Sequence, residues 1–205
     1  SSSSSSSSSS NLFLVVYGDS GTGKSAFFSR LLDKQFCRIK GGSWHNVFSR
    51  LLADHICRVQ DPDSLSPIKW ARSIAGQIFL ALRERHRHGA ALKVGGHADR
   101  EAFTSWLEKE ESARSILSEW VIPVLKSLAS AEALGGRDTI AIDSLDEALT
   151  LGLAKGEGRD GRTIVKYLID FKDQWPSWIR FVATSRRYKA TEALEPLVGA
   201  SISVQ

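Results

Sequence analysis

Uncharged runs of strand-forming residues alternate along this chain with stretches in which apolar positions recur every three or four residues. Leu12 to Tyr17 is the first such run, and a glycine-rich turn leads from it into a helical stretch over Ala26 to Leu32 that should end near Lys34. The latter half of Leu51 to Val59 reads as a second strand, which runs into the turn-rich segment Asp61 to Pro67. From Pro67, a residue favoured in the first turn of a helix, Ala71, Ile74, Ala75, Ile78, Phe79 and Leu82 fall on one helical face. A second helical region carries Phe103, Trp106, Leu107, Ile116, Leu117, Trp120, Val121, Val124, Leu125 and Leu128 on one stripe. Pro123 should kink or divide it, and Gly135-Gly136 should end it. Thr139 to Asp143 is a third strand, Thr163 to Trp175 a further helix, Trp178 to Arg187 a fourth strand with a polar, basic tip, and Ala200 to Val204 a last short strand. The alternation predicts an α/β domain: a parallel sheet with helices on both faces.

Composition narrows this only a little. The 205 residues suffice for one well-buried domain over 11–205, whereas residues 1–10 are all serine, cannot build a core, and are set aside as a disordered tail or placeholder. The formal net charge of +4 comes from scattered basic residues, so nucleic acid is not the expected partner. Cys37 and Cys57 have no metal or redox spacing and read as reduced thiols, and His86, His88 and His97 have no carboxylate or cysteine cluster at ligand spacing. No apolar run approaches the roughly 20 residues that cross a bilayer, so a soluble, cytoplasmic protein is expected. The lack of any methionine and a last strand close to the end predict a piece of a larger protein.

The chemistry begins at Gly18-Asp19-Ser20-Gly21-Thr22-Gly23-Lys24-Ser25, which fits the phosphate-loop pattern at every fixed position and stands between a strand and a helix. Backbone N–H groups of Gly18, Gly21, Thr22 and Gly23, with the first turn of the helix, should cradle phosphate oxygens. Lys24 would reach the β and γ phosphates, and Ser25 would hold Mg²⁺. Asp143 at the end of the third strand is the second metal-ligand candidate. Asp146 and Glu147 follow it closely, and Glu147 is favoured over Asp146 as the base that acts on water. Ser185 and Arg186, at the tip of the fourth strand, should stand near the γ phosphate, sense it and stabilise charge. Competing readings exist for each: an aspartate after a strand can cap the next helix, and tip arginines can be surface charges. The order of phosphate loop, carboxylate-tipped strand and polar-tipped strand favours the chemical one.

These residues resemble the NACHT branch of the STAND class of signalling P-loop ATPases. Gly18 to Ser25 matches its phosphate loop. Ile142-Asp143-Ser144-Leu145-Asp146-Glu147-Ala148 is similar to its extended Walker B motif with paired acids, and Trp178 to Arg187 to its sensor strand ending in Thr-Ser-Arg. A weaker likeness covers His55 to Pro67 and Arg72 to Ile78. The resemblance implies a three-layer P-loop NTPase fold with a five-stranded parallel sheet in order 5-1-4-3-2. It implies ATP/ADP and Mg²⁺ as ligands, and a switch in which ADP holds a closed monomer while ATP permits an oligomer. It also implies protein partners engaged through flanking helical and winged-helix domains. No N-K-x-D guanine motif is present, which favours ATP over GTP. The alternative is a catalytically weak P-loop scaffold or assembly subunit within a larger complex.

Overall fold

Phe13, Val15 and Tyr17 are buried together with the side chains of the third and fourth strands, whereas Leu14 points to the opposite layer, as the two-residue period of a strand requires. They lie in β1 (Phe13–Tyr17) of a computed structural model that describes residues 13–32, 51–85, 100–128, 138–150, 162–187 and 190–203. The helix α1 (Lys24–Leu32) follows the glycine-rich turn. Next come β2 (Leu51–Ile56), a 3-10 turn (Pro62–Leu65) and the long helix α2 (Pro67–Arg85). Helix α3 (Arg100–Lys109) precedes α4 (Ala113–Ser115), a π-helical segment (Ile116–Val121) and α5 (Ile122–Ser127). The chain then forms β3 (Asp138–Asp143), α6 (Glu147–Thr150), α7 (Ile164–Asp170), β4 (Ile179–Ser185), α8 (Ala190–Leu194) and β5 (Ala200–Ser203).

Four strands, β2, β3, β4 and β1, lie side by side, and the short β5 adds to the outer edge of β1, giving the order β2-β3-β4-β1-β5 with every neighbouring pair parallel. All their C-terminal ends therefore point to one edge. The sheet separates two apolar layers. Ile140, Ile142, Phe181 and Ala183 face the larger one, where α2, the π-helical segment and α7 contribute Trp70, Ile74, Ile78, Leu117, Trp120 and Leu168. Ala141 and Val182 face the other, covered by Phe28 of α1 with Phe27 and Leu32 beside it. Burying one large apolar side chain contributes about 1.5–3 kcal/mol, so these layers carry the main stabilisation. The α/β architecture with parallel strands and helices on both faces is the one the hydrophobic pattern predicts.

Several boundaries differ from the sequence reading. β2 occupies the start of the Leu51–Val59 run rather than its latter half, because the chain after Ile56 is taken into a tight turn in which Asp61 N–H donates to the Arg58 carbonyl at 3.0 Å. The helix expected over Thr163 to Trp175 is shorter. Thr163 caps α7 by accepting from Lys166 N–H, and after Asp170 the chain tightens into a 3-10 turn (Lys172–Gln174). The stripe from Phe103 to Leu128 is divided twice. The first break separates α3 from α4, where Ser112 caps the new start by accepting from Ser115 N–H. The second effect is the π-helical segment just before Pro123, where Ile122 N–H reaches back to the Leu117 carbonyl. Proline has no N–H and its ring crowds the preceding turn, and the widened segment accommodates both. Helix α8 has no counterpart in the sequence reading. The end expected for the first helix near Lys34, Cys37, the histidines His86, His88 and His97, and Gly135-Gly136 lie outside the described residues.

Candidate functional site

The parallel register fixes which residues meet at the C-terminal edge. Tyr17 of β1 aligns with Ser185 of β4, and Gly18 N–H continues the ladder by donating to the Ser185 carbonyl at 3.2 Å. Ile142 of β3 aligns with Ala183, which sets Asp143 beside Thr184. Ile56 aligns with Asp143, and Cys57 N–H donates to the Asp143 carbonyl at 3.0 Å. The start of the phosphate loop, Asp143 and the tip of β4 are thereby assembled at one edge from residues more than a hundred positions apart in the chain.

The loop itself is a compact turn. Gly21 and Gly23 adopt φ of 83° and 85°, a region in which a side chain would be strained, although a Cβ at either would meet no protein atom within 4 Å. The requirement for glycine here comes from backbone conformation rather than space. Thr22 donates its hydroxyl to the Asp19 carbonyl at 2.9 Å, and Phe27 N–H bonds the Gly23 carbonyl at 2.7 Å, which starts α1. Lys24 folds back over the loop and donates to the carbonyls of Gly18 at 2.7 Å and Asp19 at 2.6 Å. Ser25 is exposed at the same end of α1, one turn before Phe28 anchors the helix on the sheet.

Asp143 is buried, and its carboxylate accepts a hydrogen bond from the hydroxyl of the fully buried Thr184. The Thr184 oxygen accepts in turn from Ser144 N–H at 2.9 Å, and the Thr184 carbonyl accepts from Leu145 N–H at 2.9 Å. Ser144 stands at φ 55°, and among the described residues it is the non-glycine residue with positive φ. Its strained turn, held on β4 by these two bonds, directs the chain into α6 with Asp146 and Glu147 leading it. Sequence reasoning aimed the polar tip of β4 at the nucleotide. Thr184 bonds Asp143, and the Ser185 hydroxyl, also buried, donates to the Arg186 carbonyl at 3.1 Å.

Thr184→Val keeps the shape but removes the donor to Asp143 and the acceptor for Ser144. It is expected to lower stability by about 1–3 kcal/mol in denaturant unfolding, whereas Thr184→Ser should recover most of the loss.

The three candidate residues Asp146, Glu147 and Arg186 are brought together. Asp146 accepts from Arg186 N–H at 3.1 Å through Oδ1, and its Oδ2 lies 3.2 Å from Arg186 Nε. Glu147 Oε1 lies 2.9 Å from the Arg186 guanidinium, and Glu147 Oε2 accepts from Val59 N–H at 2.7 Å. Arg187 donates to the Ser203 hydroxyl of β5 at 2.6 Å. Val59 was invisible to motif reading, because its contribution is a backbone amide 88 positions away from Glu147.

The electrostatics of this edge are legible in Cys57. Burial pushes its thiol up to about 12, and the negative charges of Glu147, Asp143 and Asp146 add to the effect. Cys57 is a buried free thiol that stays protonated at ordinary pH. The same crowding of carboxylates offers hard oxygen donors, Asp143 foremost with the Ser25 hydroxyl, of the chemistry that Mg²⁺ takes. Among the described residues no group of three His, Cys, Asp or Glu forms a ready protein-only metal cluster, and no helix is long and apolar enough to cross a membrane.

No curated protein matches this chain. A family model described as Nephrocystin 3, N-terminal, matches residues 2–186, a span that takes in the phosphate loop, Asp143, Asp146, Glu147, Ser185 and Arg186. The family bears this name rather than that of NACHT. On this match, the chain belongs to the Nephrocystin 3 N-terminal family.

Proposed function

We propose that this chain is the nucleotide-binding core of an ATP-binding, slowly hydrolysing switch module with a three-layer P-loop NTPase fold, of the NACHT kind within the STAND signalling class. The observation that carries the reading is the meeting at one sheet edge of a phosphate-loop sequence, a buried strand-end aspartate and an arginine-bound acidic pair. Each component of nucleotide hydrolysis has a candidate. The loop N–H groups and Lys24 hold the β and γ phosphates, and Lys24 exchanges the carbonyls of Gly18 and Asp19 for phosphate oxygens. Ser25 and Asp143 would hold Mg²⁺, which when bound neutralises phosphate charge. Glu147, or Asp146 in its place, accepts the proton of the attacking water. Arg186 stabilises charge on the γ phosphate once it leaves the acidic pair. ATP and ADP states would then differ in how this edge is held, and the difference would pass to partners or to further copies of the chain through flanking domains.

Lys24→Ala tests the foundation. Removal of a charge-assisted donor to phosphate is expected to weaken Mg-ATP binding by roughly ten- to a hundredfold in titration calorimetry. Wild-type affinity in this variant would remove the phosphate-loop assignment.

A second reading, a P-loop scaffold without useful turnover, is favoured by one observation: every carboxylate oxygen of Asp146 and Glu147 already accepts a bond from Arg186 or Val59. Nucleotide followed over time on the purified chain separates the two. Conversion of bound ATP to ADP supports the ATPase, and persistent ATP supports the scaffold.

A further inference from the structure

We propose that Val59 is a positioning residue whose backbone amide restrains Glu147, so that the turn after β2 sets the rate of hydrolysis. The proposal rests on the reading of Glu147 as the residue that acts on water. A general base must come within hydrogen-bond reach of the proton it takes. Glu147 is held at both ends by different elements: Oε1 by Arg186 at the tip of β4, and Oε2 by Val59 after β2. Each carboxylate oxygen keeps a second lone pair for a water, but these contacts fix where the oxygens point, and a turn of the carboxylate toward a bound phosphate would lengthen one of them. The Val59 contact brings in a third strand, because Val59 follows β2 and Arg186 follows β4, the two strands that flank β3 ahead of Glu147.

The turn is built to hold this amide in place. Asp61 N–H closes it on the Arg58 carbonyl at 3.0 Å. The Ser64 hydroxyl accepts from Arg58 N–H at 2.8 Å and donates to the Asp61 carbonyl at 2.7 Å. His55 Nε2 lies 2.6 Å from the Ser64 carbonyl, which ties the 3-10 turn back to β2. The Val59 side chain itself is 51 % exposed, so the residue's place is explained by its amide rather than by apolar packing. Anything that shifts this exposed turn would pull on Glu147 directly, which makes it a point of control over the site without contact to nucleotide.

The turn also supplies a clean test. Val59 is the second residue of a four-residue turn in which neither Val59 nor Gln60 has positive φ, the position at which proline is favoured. Val59→Pro therefore removes the N–H and keeps the turn, whereas Val59→Ala keeps the N–H and removes the side chain. With the full chain and Mg-ATP, Val59→Pro is expected to raise kcat roughly tenfold to a hundredfold, the worth of one released hydrogen bond to a charged carboxylate, with KM unchanged. Val59→Ala should leave both constants unchanged. A folded Val59→Pro protein that binds Mg-ATP normally but shows equal or lower kcat overturns the proposal alone. Failure of the wild-type chain to bind Mg-ATP overturns the functional reading beneath it.

Should the proline variant not fold, amide exchange on the wild-type chain decides. Saturation with the Mg²⁺ complex of a non-hydrolysable ATP analogue should speed exchange at the Val59 amide. Unchanged or slower exchange, with the analogue shown to be bound, overturns the proposal.

Discussion

Glu147→Gln is expected to bind Mg-ATP within about twofold of wild type while turnover falls by roughly a hundredfold or more, the contribution of a positioned general base. The amide has nearly the size of the carboxylate and keeps one oxygen to accept from Val59 N–H or Arg186, so the local fold is preserved. What it loses is the ability to take a proton. Single-turnover hydrolysis, measured beside equilibrium binding, separates these. Asp146→Asn is the necessary companion. Asp146 accepts both the backbone N–H and the Nε of Arg186, so it secures the tip of β4, and its loss should affect thermal stability more than turnover. A larger turnover loss in Asp146→Asn than in Glu147→Gln would exchange the two roles.

How much of this site could be read from the sequence depends on how local each part is. The phosphate loop is eight consecutive residues between a strand and a helix, and its glycines occupy the positive φ values that explain their presence. β3 and β4 were legible because the uncharged runs Thr139 to Ile142 and Phe181 to Thr184, buried on both faces, leave a continuous signal. β2 was displaced because Asp54 and His55 interrupt that signal. Asp54 exchanges backbone hydrogen bonds with the Gln77 side chain of α2, and His55 is tied to Ser64, partners that lie 23 and 9 residues away. The π-helical segment escaped notice because a single wide turn shifts the apolar stripe by only one position. Arg186 was legible as a tip cation but its partners were not. Its ion pairs with Asp146 and Glu147 span 40 and 39 residues and exist only because β3 and β4 are neighbours in register. The same parallel pairing buries Thr184 against Asp143, where its hydroxyl orients the carboxylate.

Phe181→Ala should lower the unfolding free energy by about 3–5 kcal/mol, the range for removing a large buried aromatic side chain. Phe181 is fully buried in the middle of β4, stacked on Phe13 of β1 at 4.3 Å between ring centroids and meeting Trp175 edge-on at 4.9 Å. The cavity would open between the two strands that place the phosphate loop and the Thr184-Arg186 tip, and the close packing of the neighbouring rings allows only partial collapse. For a chain of this size the loss corresponds to a fall in melting temperature of roughly 10 °C or more. Nucleotide offers a further check, because a ligand at a hundred times its dissociation constant returns only about 2.7 kcal/mol. Saturating Mg-ATP should therefore raise the melting temperature of Phe181→Ala yet leave it below that of the ligand-bound wild type. Phe181→Leu, which refills most of the space, should lose distinctly less. Equal stability of Phe181→Ala and wild type in urea unfolding would mean that β1 and β4 are not packed through this aromatic pair, and the register that brings Gly18 to Ser185 would lose its main support.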